Sequence, residues 1–347
     1  MSGLTGRGRK ILFAVVTEYI GTGHPVGSRT LSRKYGIDLS AATIRNVLAD
    51  LEDAGYLKQP HTSAGRIPTE LALRAFILAL TDFAVIPRQQ KQTMRERFDE
   101  IFSERGVGNT GLREAGQFIS ELTGAAAIVA ASPAETRKLS QFRFIRTKPN
   151  QLLAVLVFSD GTVENRYVGV EEPLNDADLE RIHNLLADVV EGRTLAALRE
   201  LFERRLAHDR LEVDALRRQA FDLGQKAIQD LARGSDEVVI EGSARLMELP
   251  EYADVDRLKK LVLALEDREY LLGLLDKTID AGTITVYLGN ETPELGEADL
   301  SLVAAPYGDQ GGTVGVLGPT RMDYARMMPL VDATAAAITA ALKKGSS

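Results

Sequence analysis

Arg45 and Asn46, adjacent behind Ser40-Ala41-Ala42-Thr43, have the side chains best suited to reading another molecule. A guanidinium fork matches the acceptors on a guanine edge, and a carboxamide matches the mixed edge of adenine in the major groove. Small residues ahead of them (Ala41, Ala42) would let a helix backbone approach DNA closely. The N–H groups of a helix starting after Ser40 could hold a phosphate. A second cluster, Lys58, His61, Thr62, Ser63 and Arg66, offers donors for phosphates or a minor groove. With Ser28 and Arg29, which open the preceding segment, these residues form the candidate DNA-contacting set.

Catalytic chemistry has no comparable cluster. The four histidines (His24, His61, His183 and His208) lie far apart, and no GxSxG, HExxH or P-loop pattern is present. Zero cysteine excludes disulfides, thiolate metal sites and cysteine nucleophiles. Val26 stands where a dinucleotide-binding fingerprint beginning at Gly21 would need its third glycine. The expectation is a binding protein with no enzymatic activity, no metal and no cofactor.

The spacing also names the elements that must hold these groups. Ile11, Leu12, Val15, Val16, Tyr19 and Ile20 share one face of a helix over 7–20, which the glycines of 21–25 end. Ser28 is the expected N-cap of a second helix with Leu31 and Tyr35 inward, and Gly36 supplies a turn tolerant of positive φ. Ser40 caps a third helix, a contribution of about 1 kcal/mol. There Ile44, Val47, Leu48 and Leu51 form the buried stripe and leave Arg45 and Asn46 outward. Residues 55–68 read as a strand, a polar tip and a return strand, so the head is expected to be a winged helix-turn-helix.

The charge distribution supports that reading more than its sum does. The net charge is −7, yet residues 1–75 carry ten Lys/Arg against six Asp/Glu, a local +4 that leaves −11 on the remainder. A basic head on an acidic body suits a DNA reader joined to a regulatory or oligomerising part. The length of 347 residues predicts two or three domains. The basic, glycine-rich start lacks a signal-peptide apolar run, and no window approaches about 18 consecutive apolar residues. A cytoplasmic location and no membrane partner are therefore expected.

Past the head, helices are expected over 69–83, 88–105 and 112–122, then a buried strand over 125–131. Three antiparallel strands follow over 141–147, 152–158 and 163–170, with turns at Pro149-Asn150 and Asp160-Gly161. Residues 176–233 read as helical, and their apolar content (Leu179, Ile182, Leu186, Leu198, Phe202, Phe221) exceeds what one helical layer can hide. Part of it is expected to meet a partner chain. Strands over 238–242, 283–288, 301–306 and 312–317, with helices over 256–279 and 324–342, complete the chain. Strand runs on both sides of the middle predict one sheet interrupted by an insertion. The fold class is α+β multidomain: residues 1–86 as head with exit helix, 87–138 with 236–347 as a split domain, and 139–235 as the insertion.

Two runs carry a family resemblance. Leu51-Glu52-Asp53-Ala54-Gly55-Tyr56-Leu57 with Pro60-His61-Thr62-Ser63-Ala64-Gly65-Arg66-Ile67-Pro68-Thr69, and Gly318-Pro319-Thr320-Arg321-Met322-Asp323-Tyr324 behind Gly315-Val316-Leu317, resemble the HrcA family of heat-inducible transcription repressors. With the order of elements between them, the resemblance spans essentially the whole chain. It implies a GAF-like split domain carrying an inserted dimerisation domain, and a homodimer on the CIRCE inverted repeat upstream of chaperone operons. It further implies that the chaperonin GroEL keeps the repressor active until unfolded clients occupy it after heat shock. GAF-like domains often bind small ligands. The alternative is therefore a ligand-sensing regulator with a metabolite among Tyr287, Glu291, Tyr307, Asp309 and Arg321. The glycines of 308–312 are expected to form a hairpin turn, since no helix start follows to complete an anion site.

Overall fold

The computed structural model describes residues 4–37, 39–61, 64–80, 86–105, 109–131, 138–159, 161–208, 215–228, 238–289, 292–308 and 311–345. The chain begins with three helices, α1 (Gly6–Thr22), α2 (Ser28–Lys34) and α3 (Ala41–Asp53). The Thr5 hydroxyl starts α1 by accepting the Gly8 N–H, and Gly23, in the left-handed region at φ 69°, ends it. Two short antiparallel strands follow, β1 (Leu57–Lys58) and β2 (Ile67–Pro68). Val26 pairs with Arg66 through two backbone hydrogen bonds of 2.8 and 2.9 Å, so the chain entering α2 lies along the hairpin's return arm. Gly65 makes that approach possible: a Cβ there would sit 2.5 Å from the Val26 carbonyl, closer than any side chain tolerates.

Three helices lead onward: α4 (Glu70–Leu80), α5 (Arg88–Arg105) and α6 (Asn109–Thr123). In α4 Leu71 is exposed, and Leu73, Phe76 and Ile77 are buried. The strand β3 (Ala126–Ala130) is buried along its whole length. Next comes an antiparallel meander of β4 (Leu139–Lys148), β5 (Gln151–Phe158) and β6 (Val163–Gly169). The helices α7 (Asp176–Val190), α8 (Leu195–His208) and α9 (Ala215–Ile228) follow it. The last third contains β7 (Val238–Glu241), α10 (Ser243–Met247), α11 (Val255–Glu266), α12 (Arg268–Ala281) and β8 (Thr285–Tyr287). It closes with α13 (Pro293–Glu297), β9 (Leu300–Tyr307), β10 (Gly312–Pro319) and α14 (Tyr324–Gly345). The single helix expected over 256–279 is thus two. Asp267 leaves helical geometry (φ −75°, ψ 72°) and its carboxylate accepts the Tyr270 N–H, capping α12.

Five strands form one antiparallel sheet in the order β7-β3-β10-β9-β8, with β3 between strands that follow it by more than a hundred residues. One face of this sheet shares a continuous apolar cluster with the head. That cluster runs from Ile11, Leu31 and Ile44 through Leu73, Phe76 and Ile77 of α4 to Val303, Val316, Tyr324 and Ile338. The opposite face packs Ile128, Leu302 and Leu317 against Leu261, Leu271 and Leu275. α14 is long and apolar enough by composition to cross a membrane, yet Leu330, Val331 and Ile338 are buried in this protein, as in a core helix. The meander and α7–α9 enclose a separate core that includes Phe142, Leu156, Phe158, Ile182, Leu186, Leu198, Phe202 and Phe221. The apolar excess expected to need a partner chain is buried between α7–α9 and the meander's inner face.

Candidate nucleic-acid interface

α3 has two contrasting faces. Ile44, Leu48 and Leu51 are buried with Val47 partly so, while Ala42, Arg45, Asn46 and Ala49 form an exposed stripe; Ala41 and Thr43 are half-buried. Ser40 starts the helix, its Oγ accepting the Thr43 N–H at 3.1 Å and lying 2.9 Å from the Thr43 hydroxyl. The stripe is therefore presented by a capped, rigid first turn. Behind it, Glu18 of α1 accepts from Lys34 Nζ at 2.6 Å and from the Tyr35 hydroxyl at 2.8 Å. These bonds tie the end of α2 to α1 and hold the Glu18 carboxyl below its ordinary pKa, against the opposing effect of burial. Gly36, at φ 54°, then turns the chain toward α3.

Ser28 departs from expectation. The N-cap of α2 is Gly27, in extended conformation and without a side-chain cap, and Ser28 is the first helical residue, only 8% exposed. Arg29 and Arg33, four residues apart on α2, are exposed.

Lys58 and His61 of the hairpin are exposed, and Thr62 and Ser63 lie outside the described residues. Arg66 has a partner within the protein: its Nη2 is 2.7 Å from Glu52 at the end of α3. The pair joins the hairpin's return arm to the helix bearing Arg45. Reading the sequence missed Glu18, Glu52 and Gly65, because their partners become neighbours only once the turns have closed.

Among the described residues, the remaining candidates do not converge on a catalytic or ligand site. His24 is exposed, the side chain of His208 lies outside the described residues, and His183 is in the inserted core. There His183 Nε2 accepts the Phe144 N–H at 2.9 Å, and burial, with Arg143 nearby, lowers its pKa. Tyr287 donates to the Leu274 carbonyl and Tyr307 to the Ala130 carbonyl, each at 2.9 Å, from opposite faces of the five-stranded sheet. Arg321 is ion-paired with Glu251, and Glu291 and Asp309 lie outside the described residues. A cleft of about 290 Å³ beside β7 is lined by none of these five. Among the described residues no group of three or more His, Asp or Glu is placed to hold a metal.

The HrcA protein C-terminal domain family matches residues 109–328. The heat-inducible transcription repressor HrcA of Sorangium cellulosum (strain So ce56) is 63% identical over 344 residues, covering 98% of each chain. Those of Syntrophobacter fumaroxidans and Geobacter sulfurreducens are 37% and 33% identical, covering 96% and 99% of each chain respectively. A crystal structure described only as that of a hypothetical protein at 2.2 Å superposes with a TM-score of 0.62 at 21% identity. It covers 99% of this chain and 100% of its own, so the two share a fold.

Proposed function

The chain belongs to the HrcA family of heat-inducible transcription repressors, and on that premise we propose that it reads a CIRCE-type inverted repeat as a homodimer. As a member of that family it is a transcription repressor and not an enzyme. In this proposal residues 1–86 are a winged helix-turn-helix, with α3 as recognition helix and the β1–β2 hairpin as wing. Arg45 and Asn46 read base edges, Ser40 to Thr43 approach the backbone, and Arg29, Lys58, His61, Thr62 and Ser63 are the surrounding contacts, while Arg66 braces the hairpin through Glu52. The five-stranded sheet and its helices (87–138 and 236–347) are the GAF-like domain, and 139–235 is the dimerisation insert.

The observation that carries the reading is the exposed Ala42-Arg45-Asn46-Ala49 stripe beside a hairpin bearing exposed Lys58 and His61. Two small residues flank the two base-reading ones, which is what a helix seated deep in a groove needs. Dimerisation draws support from the meander's outer face. There Ile145, Leu153 and Tyr167 form one cross-strand row, and Val157 and Val163 stand together in another. Ile145, Val163 and Tyr167 are 53%, 58% and 67% exposed. Covering such a face with its two-fold mate gains roughly 25 cal/mol per Å² buried. Chaperonin dependence, cytoplasmic location and release of repression on heating follow from the family reading.

Fluorescence anisotropy with the inverted repeat and a scrambled duplex, across a salt series, tests the proposal. Binding tighter to the inverted repeat by about 10³-fold or more supports it, and equal affinity overturns it. Repeating the titration after a heat step, with and without chaperonin, tests the regulatory part: recovery with chaperonin alone is expected.

A further inference from the structure

The Gly318–Tyr324 run carries the family resemblance far from the head, and the DNA-reading surface does not use it. Its arginine reaches the head nonetheless. Arg321 is ion-paired through Nε with Glu251, and its Nη1 donates to the carbonyl of Ile20 at 3.3 Å. Ile20 lies in the last turn of α1, whose final carbonyls have no partner within the helix. That turn contains no basic residue of its own. A guanidinium placed there completes a carbonyl and favours the negative end of the helix dipole. Gly23, the C-cap of α1, packs against the same guanidinium: a Cβ there would lie 3.5 Å from Arg321 Cζ.

The body side is fixed with equal care. Glu251 is 12% exposed, and neither of its oxygens has a hydrogen-bond partner among the described residues, so Arg321 balances its charge. The neighbours of both partners converge on one atom. Thr320 N–H donates to the carbonyl of Asp299 at 3.0 Å, and the Tyr252 hydroxyl donates to that carbonyl at 3.4 Å. Tyr324, just beyond, is buried and bonded to Ser301 at 2.9 Å and to the Thr320 carbonyl at 2.7 Å. Arg321 therefore projects from a corner cross-linked by hydrogen bonds. The head's other link to the body is the apolar cluster continuous through α4, where Arg74 also donates to the Val286 carbonyl at 2.9 Å. Apolar packing is non-directional, and the contact at the far end of α1 adds a directional one.

We propose that Arg321 and Glu251 form a positioning clasp that fixes the orientation of the DNA-reading head on the body. Its functional consequence rests on the dimeric reading above. With heads held at fixed orientation, the two recognition helices have one separation and tolerate one half-site spacing. With the clasp cut, the heads pivot and accept several. The clasp thus sets which spacer is bound, without touching DNA.

The test uses the full-length chain, Arg321→Met/Glu251→Met, which leaves no lone buried charge, and Arg321→Lys, which retains the cation. Each is titrated with inverted repeats whose spacer is natural or altered by a few base pairs, and with a single half-site. The parent is expected to prefer the natural spacer by about 10-fold or more and the double variant by less than about 3-fold, with half-site affinity unchanged. Arg321→Lys is expected to restore part of the preference. Undiminished preference in the double variant overturns the clasp, and so does a parallel fall in half-site affinity, which would mean damage to the head itself. A DNA-free measurement separates this from the dimeric reading. The chain has no cysteine, so spin labels at Thr17→Cys and Lys260→Cys report head-to-body distance directly. One narrow distance in the parent and a broadened one in the double variant support the clasp; equal widths overturn it. A parent indifferent to spacer would sink only the dimeric reading, leaving the distance widths to judge the clasp.

Discussion

α3 and the β4–β6 meander each bury one side and expose the other, and their exposed sides are opposites. Along α3 the outward residues are small or hydrogen-bonding: Ala42, Arg45, Asn46, Ala49. Across the meander they include Ile145, Val163 and Tyr167, with Leu153, Val155 and Val157 half-covered between them. Neither inner side differs from an ordinary core. The difference outside is what the proposed partners would require: a wet, charged surface such as a duplex for the first, and a dry surface of similar chemistry for the second. In the reading proposed above, recognition and assembly lie on separate surfaces, so each can be damaged alone.

The largest effect is expected from breaking assembly. Tyr167→Glu with Ile145→Glu places two carboxylates on the outer sheet face and is expected to give a monomer in sedimentation velocity. Affinity for the inverted repeat then falls by about 10²–10⁴-fold through lost avidity, while single half-site binding stays as it was. A dimer that survives both substitutions would move the interface elsewhere. Damage to recognition is the complementary case. Arg45→Ala is expected to cost about 1–3 kcal/mol on the specific operator and little on random DNA, with the dimer intact. Equal losses on both duplexes in a competition titration would make Arg45 a phosphate contact.

The same contrast explains what could be read in advance. The buried stripe of α3 is apparent because Ile44, Val47, Leu48 and Leu51 recur at helical spacing among polar neighbours, and Ser40 caps where a serine before two alanines should. β5 resists that method. Leu152, Leu153, Ala154, Val155, Leu156 and Val157 are apolar at every position, so alternation cannot say which side meets the helices. For this reason the unpartnered surface was expected among the helices of 176–233, whereas it lies on the sheet. Ser28 was misplaced by one residue, since a serine fits an N-cap and a first turn equally well by type. Arg321 has a place only in the alternative, ligand-sensing reading, beside a metabolite. Its partners, Glu251 and the carbonyl of Ile20, lie about 70 and 300 residues away, and no local pattern announces them.

Within the recognition region, Lys58 and Arg66 sharpen the comparison at smaller scale. Both are basic hairpin residues, but Lys58 is exposed and Arg66 is paired with Glu52. Lys58→Ala is expected to weaken operator and random DNA alike and to reduce the salt slope by about one, with melting temperature unchanged. Arg66→Ala is expected to lower stability by up to about 1 kcal/mol, the range of a partly exposed pair. Glu52→Gln is expected to reproduce that loss in thermal unfolding. If Arg66→Ala changes the salt slope while Glu52→Gln leaves stability untouched, Arg66 serves DNA more than the hairpin.

The smallest effect divides the two regions by pH. His183 accepts the Phe144 N–H through Nε2 and has a pKa below the ordinary histidine value of 6.5, because burial and Arg143 disfavour its cation. Below pH 6.5 the unfolded chain therefore binds more protons than the folded one, so the inserted core loses stability as pH falls from there. Glu18 in the head also has a depressed pKa, but its reference value is 4.5, so its contribution persists until pH falls below that. Between pH 6.5 and 5 these two groups predict that mild acid loosens the assembly region before the recognition region. Hydrogen exchange at pH 7.0 and 5.5 checks this: amides of β4 and α7 are expected to lose protection while those of α1 and α3 keep theirs. His183→Gln retains an acceptor for the Phe144 N–H without a titrating ring, and is expected to flatten the pH dependence in the insert alone. Uniform loss across both regions would assign the acid response to groups shared by the whole fold.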